Sequence, residues 1–269
     1  MQIVTVNHHR RTFAAHRKNY YIADGSPTML EAGNSSERYS RQIETLGEGG
    51  QKKLRNSTVT IVGLGGLGSP VSAYLAVAGI GHLRIVDHDR VRVPDLNRQI
   101  LYGDRDVGKM KSTAAEKGLR ELNEEINVEQ YNEKVSEKNV SDLIDGSEVV
   151  IDCLDNWESR FILNRACVEM RIPLVHGAVE NMNGQLTTIV PKETPCLSCI
   201  FREQRGEARV SIVGFAPGVI GSIQVGEAIK LLAGIGETLK NKLLIVDLRN
   251  CSFDTIRISR DDRCGVCGD

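Results

Sequence analysis

Residues Thr58 to Asp87 read T-V-T-I-V-G-L-G-G-L-G-S-P-V-S-A-Y-L-A-V-A-G-I-G-H-L-R-I-V-D. An apolar, β-branched run (Val59, Ile61, Val62) stops at Gly63. Gly63, Gly65 and Gly68 stand at G-x-G-x-x-G spacing, a helical pattern follows, and a second apolar run ends at Asp87. The pattern predicts strand, glycine turn, helix, strand. Glycines at these places let the backbone approach a phosphate and let helix and strand pack closely, while the helix N-terminus offers free N–H groups to an anion. Asp87, about twenty residues past the last glycine, is placed to bond a ribose hydroxyl. The chain is therefore read as a nucleotide binder.

Composition narrows the partners. The 269 residues carry 34 basic and 35 acidic side chains, a formal net charge of −1, with the basic residues interspersed among acidic ones. No basic stripe suggests nucleic acid, no apolar run is long enough to span a bilayer, and the N-terminus lacks the pattern of a secretory signal. A cytoplasmic protein with no membrane or nucleic-acid partner is expected. Seven cysteines in a chain of this length are no disulfide framework; metal or thiol chemistry fits them better.

Residues 1–36, with His8-His9-Arg10-Arg11 and Asp24-Gly25-Ser26-Pro27, lack sustained periodicity and read as a mobile N-terminal tail; residues 37–269 read as one unit. E-R-Y-S-R-Q-I from Glu37 predicts a short polar helix and then a glycine break. On it Arg38 and Arg41 fit a solvated face. After Asp87, Asp89, Asp95, Asn97, Arg98 and Gln99 crowd a loop broken by Pro94. Loops at the carboxyl ends of parallel strands are where open α/β sheets bind ligands. Lys111 opens the next helix against the macrodipole, which suits a nearby anion as well as a solvated lysine. Glu148 to Asp152 is a buried-type strand, and Asp155 beyond it serves either as a metal-binding carboxylate or as the cap of the helix from Trp157, a part Asn156 could also play.

Strands alternate with helices as far as Ala178, which predicts a Rossmann-like, doubly wound, mainly parallel sheet. A charged loop from Arg202 to Arg209, a helix from Val219 to Leu232 and strands at Leu243–Asp247 and Ser252–Ile258 predict a C-terminal antiparallel annex. Cys196-x-x-Cys199 and Cys264-x-x-Cys267 are spaced for a tetrahedral zinc that staples the annex to the body; a redox dithiol is the weaker alternative. Cys153, Cys167 and Cys251 read as buried small hydrophobes.

R-Y-S-R-Q-I, G-L-G-G-L-G, D-H-D, L-N-R-Q-I-L, G-K-M-K, C-L-D-N and the two C-x-x-C pairs, seven motifs in one order from Glu37 to Gly268, together resemble one family. It is that of the adenylating enzymes related to ubiquitin activation, and within it the bacterial and archaeal adenylyltransferases that activate sulfur carriers for molybdopterin and thiamine synthesis. The resemblance implies that the glycine loop (Gly63, Gly65, Gly66, Gly68), with Asp87, Asp89, Asn97 and Gln99, receives ATP, and that Asp87 holds the ribose. It implies that Arg98 and Lys111 meet the triphosphate, that Asp155 holds Mg²⁺, and that Arg41 reaches the phosphates from the other subunit of a homodimer. The substrate implied is a small ubiquitin-like sulfur-carrier protein ending in Gly-Gly, whose carboxylate is adenylated with release of pyrophosphate. The acyl-adenylate is then expected to pass to an external sulfur donor, such as a sulfurtransferase, or to an amine.

Three departures from the family pattern bear on this. Asp95 stands where relatives carry Asn, which would either repel phosphate or recruit metal. Arg209-Val210-Ser211-Ile212-Val213-Gly214 holds no cysteine for a thioester, and no sulfurtransferase domain follows Cys267. Two rival readings stay open at this point. An NAD-dependent oxidoreductase would account for the glycine turn and Asp87 alone, and a non-catalytic scaffold for ubiquitin-like proteins would account for Asp95 and the missing cysteine.

Overall fold

In the computed structural model, Thr58–Val62 forms strand β1, whose last four residues are buried. The structure describes residues 35–201 and 211–268. The tail expected over residues 1–36 therefore lies outside the described residues except at its last two positions, as do Arg202, Arg205 and Arg209. Helix α1 (Ser35–Arg38) and helix α2 (Ser40–Asn56) lead into β1. The expected glycine break is Gly47, which interrupts α2 with φ +71°.

Helix α3 (Gly68–Ala78) returns the chain to β2 (His82–Val86), and α4 (Lys111–Leu122) to β3 (Asn127–Tyr131). On the other side of β1, β4 (Val149–Asp152) and β5 (Leu174–Glu180) follow, joined through α6 (Trp157–Met170), with the short α5 (Val140–Ile144) before β4. All five strands are parallel in the order β3-β2-β1-β4-β5. The chain winds one way from β1 to β3 and the other way from β4 to β5, so β1 and β4 flank the switch point at whose carboxyl edge such sheets bind ligands.

The sheet has two cores, as βαβ winding requires. Val59, Ile61, Leu83, Ile85 and Ile151 face α3, α4 and α8 (Phe215–Ala233), while Val62, Val86, Val150 and Leu174 face α5 and α6. Helix α8 begins four residues before its expected start. Pro217 sits in its first turn, where a missing N–H has no helical bond to lose.

The antiparallel strands are the sheet's continuation. Only Asn181 and Met182 separate β5 from β6 (Asn183–Ile189), with Asn181 in the left-handed region at φ +56°. A two-residue connection can make only an antiparallel neighbour. β7 (Lys242–Asp247) and β8 (Ser252–Arg257) then complete a single eight-stranded sheet. Cys251, expected to be buried, is exposed in the β7–β8 turn at φ +53°. Asp247 Oδ1 accepts the N–H groups of Arg249 and Asn250 there, and the tight turn carries the thiol out to solvent.

Gly63 takes φ +94° directly over the Cys153 carbonyl, and a methyl at Gly68 would overlap the Gly63 carbonyl oxygen. Gly68→Ala is therefore expected to destabilise the fold by about 1–3 kcal/mol, since the new methyl would meet backbone, which cannot swing aside as a flexible side chain can. Denaturant midpoints of the two proteins measure it, and an unchanged midpoint would contradict the packing described.

Candidate active site

The loop after β2 folds back against the glycine turn. Gln99 Nε2 lies 3.8 Å from the place a Gly65 Cβ would occupy, and Arg98 Cδ lies 3.5 Å from that of Gly66, which also packs beneath Pro217 of α8. Any side chain in this turn would fill the cradle between the loop and the helix start. Two buried polar atoms, Gln99 Oε1 and Ser69 Oγ, have no hydrogen-bond partner among the described residues. Buried polar atoms of this kind ordinarily find a partner in protein, water or ligand, so the cradle suits a polar ligand such as the phosphates of a nucleotide.

Asp87 closes the cradle at the end of β2. Its Oδ2 accepts the Leu64 N–H at 2.7 Å and its Oδ1 the Asp89 N–H at 2.8 Å, so the carboxylate is fixed in orientation. Tyr102, which the sequence motifs did not single out, holds the other side of the turn by donating to the Leu64 carbonyl at 3.0 Å. Burial, reinforced by Asp87 and Asp95, pushes its phenol well above the usual range, so it stays a donor.

Lys111 is 4% exposed, and its ammonium meets the half-exposed Asp89 carboxylate at 3.1 Å. Partial burial pushes the Asp89 carboxyl up, but the attraction and hydrogen bond of Lys111 outweigh it and hold the group below its ordinary value. A buried cation at a helix start, with one exposed carboxylate beside it, is a charge available to an incoming anion.

Asp95 does not face the cradle as a free charge. It is 1% exposed, its Oδ2 accepts the Arg92 N–H at 3.0 Å, and its Oδ1 stands 3.5 Å from Arg98 Nη2. The carboxylate thus caps the 3₁₀ turn Val93–Asp95 and steadies Arg98. Arg98 Nη1 also donates to the Pro94 carbonyl at 2.9 Å and to Asn97 Oδ1 at 3.0 Å, with the guanidinium partly exposed.

Asp155 lies on the neighbouring strand end, two residues past the Cys153 carbonyl on which Gly63 rests. Asn156, not Asp155, caps α6, its Oδ1 accepting the Ser159 N–H at 2.9 Å. The exposed Asp155 carboxylate is left with one hydrogen bond among the described residues, from Asn156 Nδ2 at 3.3 Å. An exposed carboxylate without a cation at the switch point fits a Mg²⁺ ligand. Arg41 lies apart from these groups in sequence, exposed on α2 and without an ion pair among the described residues. A shallow groove of about 500 Å³ lined by Lys52, Lys53, Glu148 and Pro173 opens at the opposite, amino end of the strands and holds none of these groups.

Beneath the Asp155 loop lies a buried polar set that the motifs did not reveal. Asp152 Oδ2 accepts from His176 Nδ1 at 2.7 Å, and Arg160 Nε stands 3.7 Å from the same oxygen. Gln224 of α8 donates to the Asp152 carbonyl at 2.8 Å. Burial lowers the His176 pKa, and the bond to Asp152, which works the other way, does not offset it. The imidazole is neutral, with its proton on Nδ1. A histidine inside the otherwise apolar Pro173–Ala178 run was the available signal.

The four cysteines of the two pairs converge. All four sulfurs lie within 4.8 Å of one another, with Cys196 to Cys264 at 3.7 Å and Cys199 to Cys267 at 3.3 Å. Four sulfurs at about 2.3 Å from a zinc would stand about 3.8 Å apart, so the cluster fits the metal. Burial disfavours the Cys264 thiolate, but the N–H groups of Cys267 and Val266 prevail and bring the thiol down to about 7. Cys153 and Cys167 are buried and not among these four sulfurs, and burial raises both thiols.

The family model described as "ThiF family" matches residues 39–266. The SAMP-activating enzyme E1 of Haloferax volcanii is 41% identical over 241 residues, 87% of this chain and 89% of the relative. The sulfur carrier protein adenylyltransferase of Thermus thermophilus is 37% identical over 246 residues, 87% and 91% of the two chains. In fold, the chain is similar to E. coli MccB crystallised with ATP, with a TM-score of 0.79 at 24% identity over 86% of this chain and 75% of that one. The glycine cradle, the Asp87 strand end and three of the four clustered cysteines, Cys196, Cys199 and Cys264, thus lie within a match that spans nearly all the described residues, and the chain belongs to the ThiF family of ubiquitin-activating-like adenylyltransferases.

Proposed function

We propose that this protein adenylates the C-terminal glycine carboxylate of a small ubiquitin-like sulfur carrier with ATP. The observation that carries the reading is the gathering of Lys111, Arg98 and the glycine cradle at one carboxyl edge, with the cation-free Asp155 on the adjoining strand end. The names of the two relatives support it, one a SAMP-activating enzyme and one a sulfur carrier adenylyltransferase. In the reaction the carrier's carboxylate oxygen bonds to the α-phosphorus as the bond to the leaving pyrophosphate breaks, so charge and geometry matter more than covalent help from the protein.

In this reading the cradle and Asp87 hold the nucleotide, and Asn97, Gln99 and Asp89 line it. Lys111 and Arg98 balance the triphosphate. Asp155 binds the Mg²⁺, which when present neutralises the phosphate oxygens. Arg41 reaches across the two-fold axis of a homodimer, and an isologous interface would complete both sites together. The four-cysteine cluster holds zinc, and the acyl-adenylate passes to an external sulfurtransferase or donor. No helix among the described residues is long and apolar enough to cross a membrane, in keeping with a cytoplasmic setting. An oxidoreductase leaves Arg98, Lys111 and Asp155 without a role. The scaffold reading leaned on Asp95, whose carboxylate is buried against its own turn.

ATP–pyrophosphate exchange with purified carriers ending in Gly-Gly tests the reading. Exchange is expected with a matching carrier and is abolished when its terminal glycine is removed. Mixing Arg41→Ala and Asp155→Ala chains should recover about one working site per heterodimer. No recovery in a mixture shown to exchange subunits would refute the shared site.

A further inference from the structure

Leu154, the residue before Asp155, is held by both of its backbone groups. Its N–H donates to Asp152 Oδ1 at 3.0 Å, and its carbonyl accepts from Arg160 Nη2. Arg160 Nη2 also donates to the Gly177 carbonyl at 3.3 Å, and its guanidinium lies 5.1 Å from the Trp157 ring centroid. Asp152 and His176 are fully buried and Arg160 nearly so. With Oδ1 on Leu154 and Oδ2 on His176 Nδ1, the Asp152 carboxylate cannot rotate. The Trp157 and Phe201 rings, centred 6.2 and 5.7 Å from the imidazole, pack beside it.

Burying an aspartate, an arginine and a histidine is a poor way to close β4 on β5, since apolar side chains of similar volume do so at no desolvation cost. Ile151 and Val175, neighbours in the same register, are such side chains. The polar set is distinguished by where it points: Asp152, held by His176, and Arg160 grip the two peptide groups on either side of Leu154, the second of which leads into Asp155.

We propose that Asp152, Arg160 and His176 are positioning residues for Asp155, fixing the Leu154 backbone and through it the carboxylate that meets the Mg²⁺ of the bound nucleotide. The inference rests on the adenylation reading above. Among the described residues the Asp155 carboxylate makes a single long hydrogen bond, so its place is set by the backbone beneath it. Partners that orient a metal ligand commonly govern metal affinity by about 10–100-fold when they are changed.

Calorimetric titration of the full-length protein with ATP, once in Mg²⁺ and once in EDTA, separates the metal contribution from binding in general. His176→Leu removes the donor to Asp152, while His176→Asn keeps an N–H near the Nδ1 position. His176→Leu is expected to weaken ATP binding about tenfold in Mg²⁺ and less than about twofold in EDTA, with His176→Asn close to wild type. In an Asp155→Ala background, His176→Leu should add no further loss in Mg²⁺, because its effect passes through that carboxylate. If His176→Leu does not fold, Arg160→Lys makes the same measurement, since it keeps the charge and loses the fork to Leu154 and Gly177. Equal losses in Mg²⁺ and EDTA, or wild-type magnesium dependence in the folded variant, would overturn the positioning role alone. An Asp155→Ala chain that binds Mg·ATP as the wild type does would overturn the metal assignment, and the adenylation reading at this residue with it.

Discussion

Alanine at Lys111, Arg98 or Asp155 is expected to lower pyrophosphate exchange by about tenfold to thousandfold, which corresponds to about 1.4–4 kcal/mol of transition-state stabilisation. Lys111 should stand at the upper end. Its ammonium is almost wholly shielded from water, so its field on a bound phosphate is screened little. Its loss also removes the closest cation to Asp89, 3.1 Å away, and so leaves that carboxylate's charge less balanced. Arg98 is partly exposed and shares its charge with Asp95 at 3.5 Å, so its replacement should cost less. With the three groups acting on one bound ion, as proposed, the double variant Lys111→Ala/Asp155→Ala should lose less than the sum of the single losses. Exchange at saturating ATP checks this, and wild-type rates in all three variants would refute the site.

Chelating the metal expected at Cys196, Cys199, Cys264 and Cys267 should lower stability by about 3–5 kcal/mol and the melting temperature by about 10 °C. The four sulfurs stand at near-tetrahedral spacing in the folded chain, so a metal bound there would add its binding free energy to the stability of the fold. Cys196 and Cys267 are buried, and burial holds both thiols above their usual range, so without a cation they stay protonated and unbonded by charge. Cys196 and Cys267 belong to the core on the α5 and α6 face, while Leu64 and Leu67 of the glycine turn belong to the other core, so exchange at 25 °C should persist while the apo protein remains folded. Metal analysis should find one zinc per chain in protein purified without chelators. Its absence there would refute the assignment.

The parts of the molecule that the sequence made legible are those in which spacing along the chain is also spacing in space. The glycine turn, Asp87 at the next strand end, Asn156 or Asp155 at the start of α6 and each C-x-x-C pair are decided within a few residues, so local rules reach them. Asp152, Arg160 and His176 come from three elements and meet only because β4 lies beside β5, and nothing local marks His176 as the partner of a residue 24 positions earlier. Tyr102 is hidden for the same reason, since its partner Leu64 is 38 residues away. The annex became part of the main sheet because of Asn181 and Met182, a turn too short for the crossover that a parallel neighbour needs. Asp95 looked like a charge aimed at the phosphates because the chain text does not show which way a side chain in a 3₁₀ turn faces.

The four-cysteine cluster, with a metal bound, also has a consequence for the entropy of the unfolded chain. Cys196 and Cys264 meet although 68 positions separate them, and α8, β7 and β8 all lie within the closed segment. A cross-link over that length removes about 4 kcal/mol of chain entropy from the unfolded ensemble, by the loop-closure relation established for disulfides. The segment so constrained contains Pro217 and Gly221, which pack against Gly66 and Pro70 on the two sides of the phosphate turn. A clasp at one end of the sheet thereby limits how far the backing of the nucleotide cradle can wander when the domain opens, and makes α8, β7 and β8 one unit in exchange with solvent deuterium.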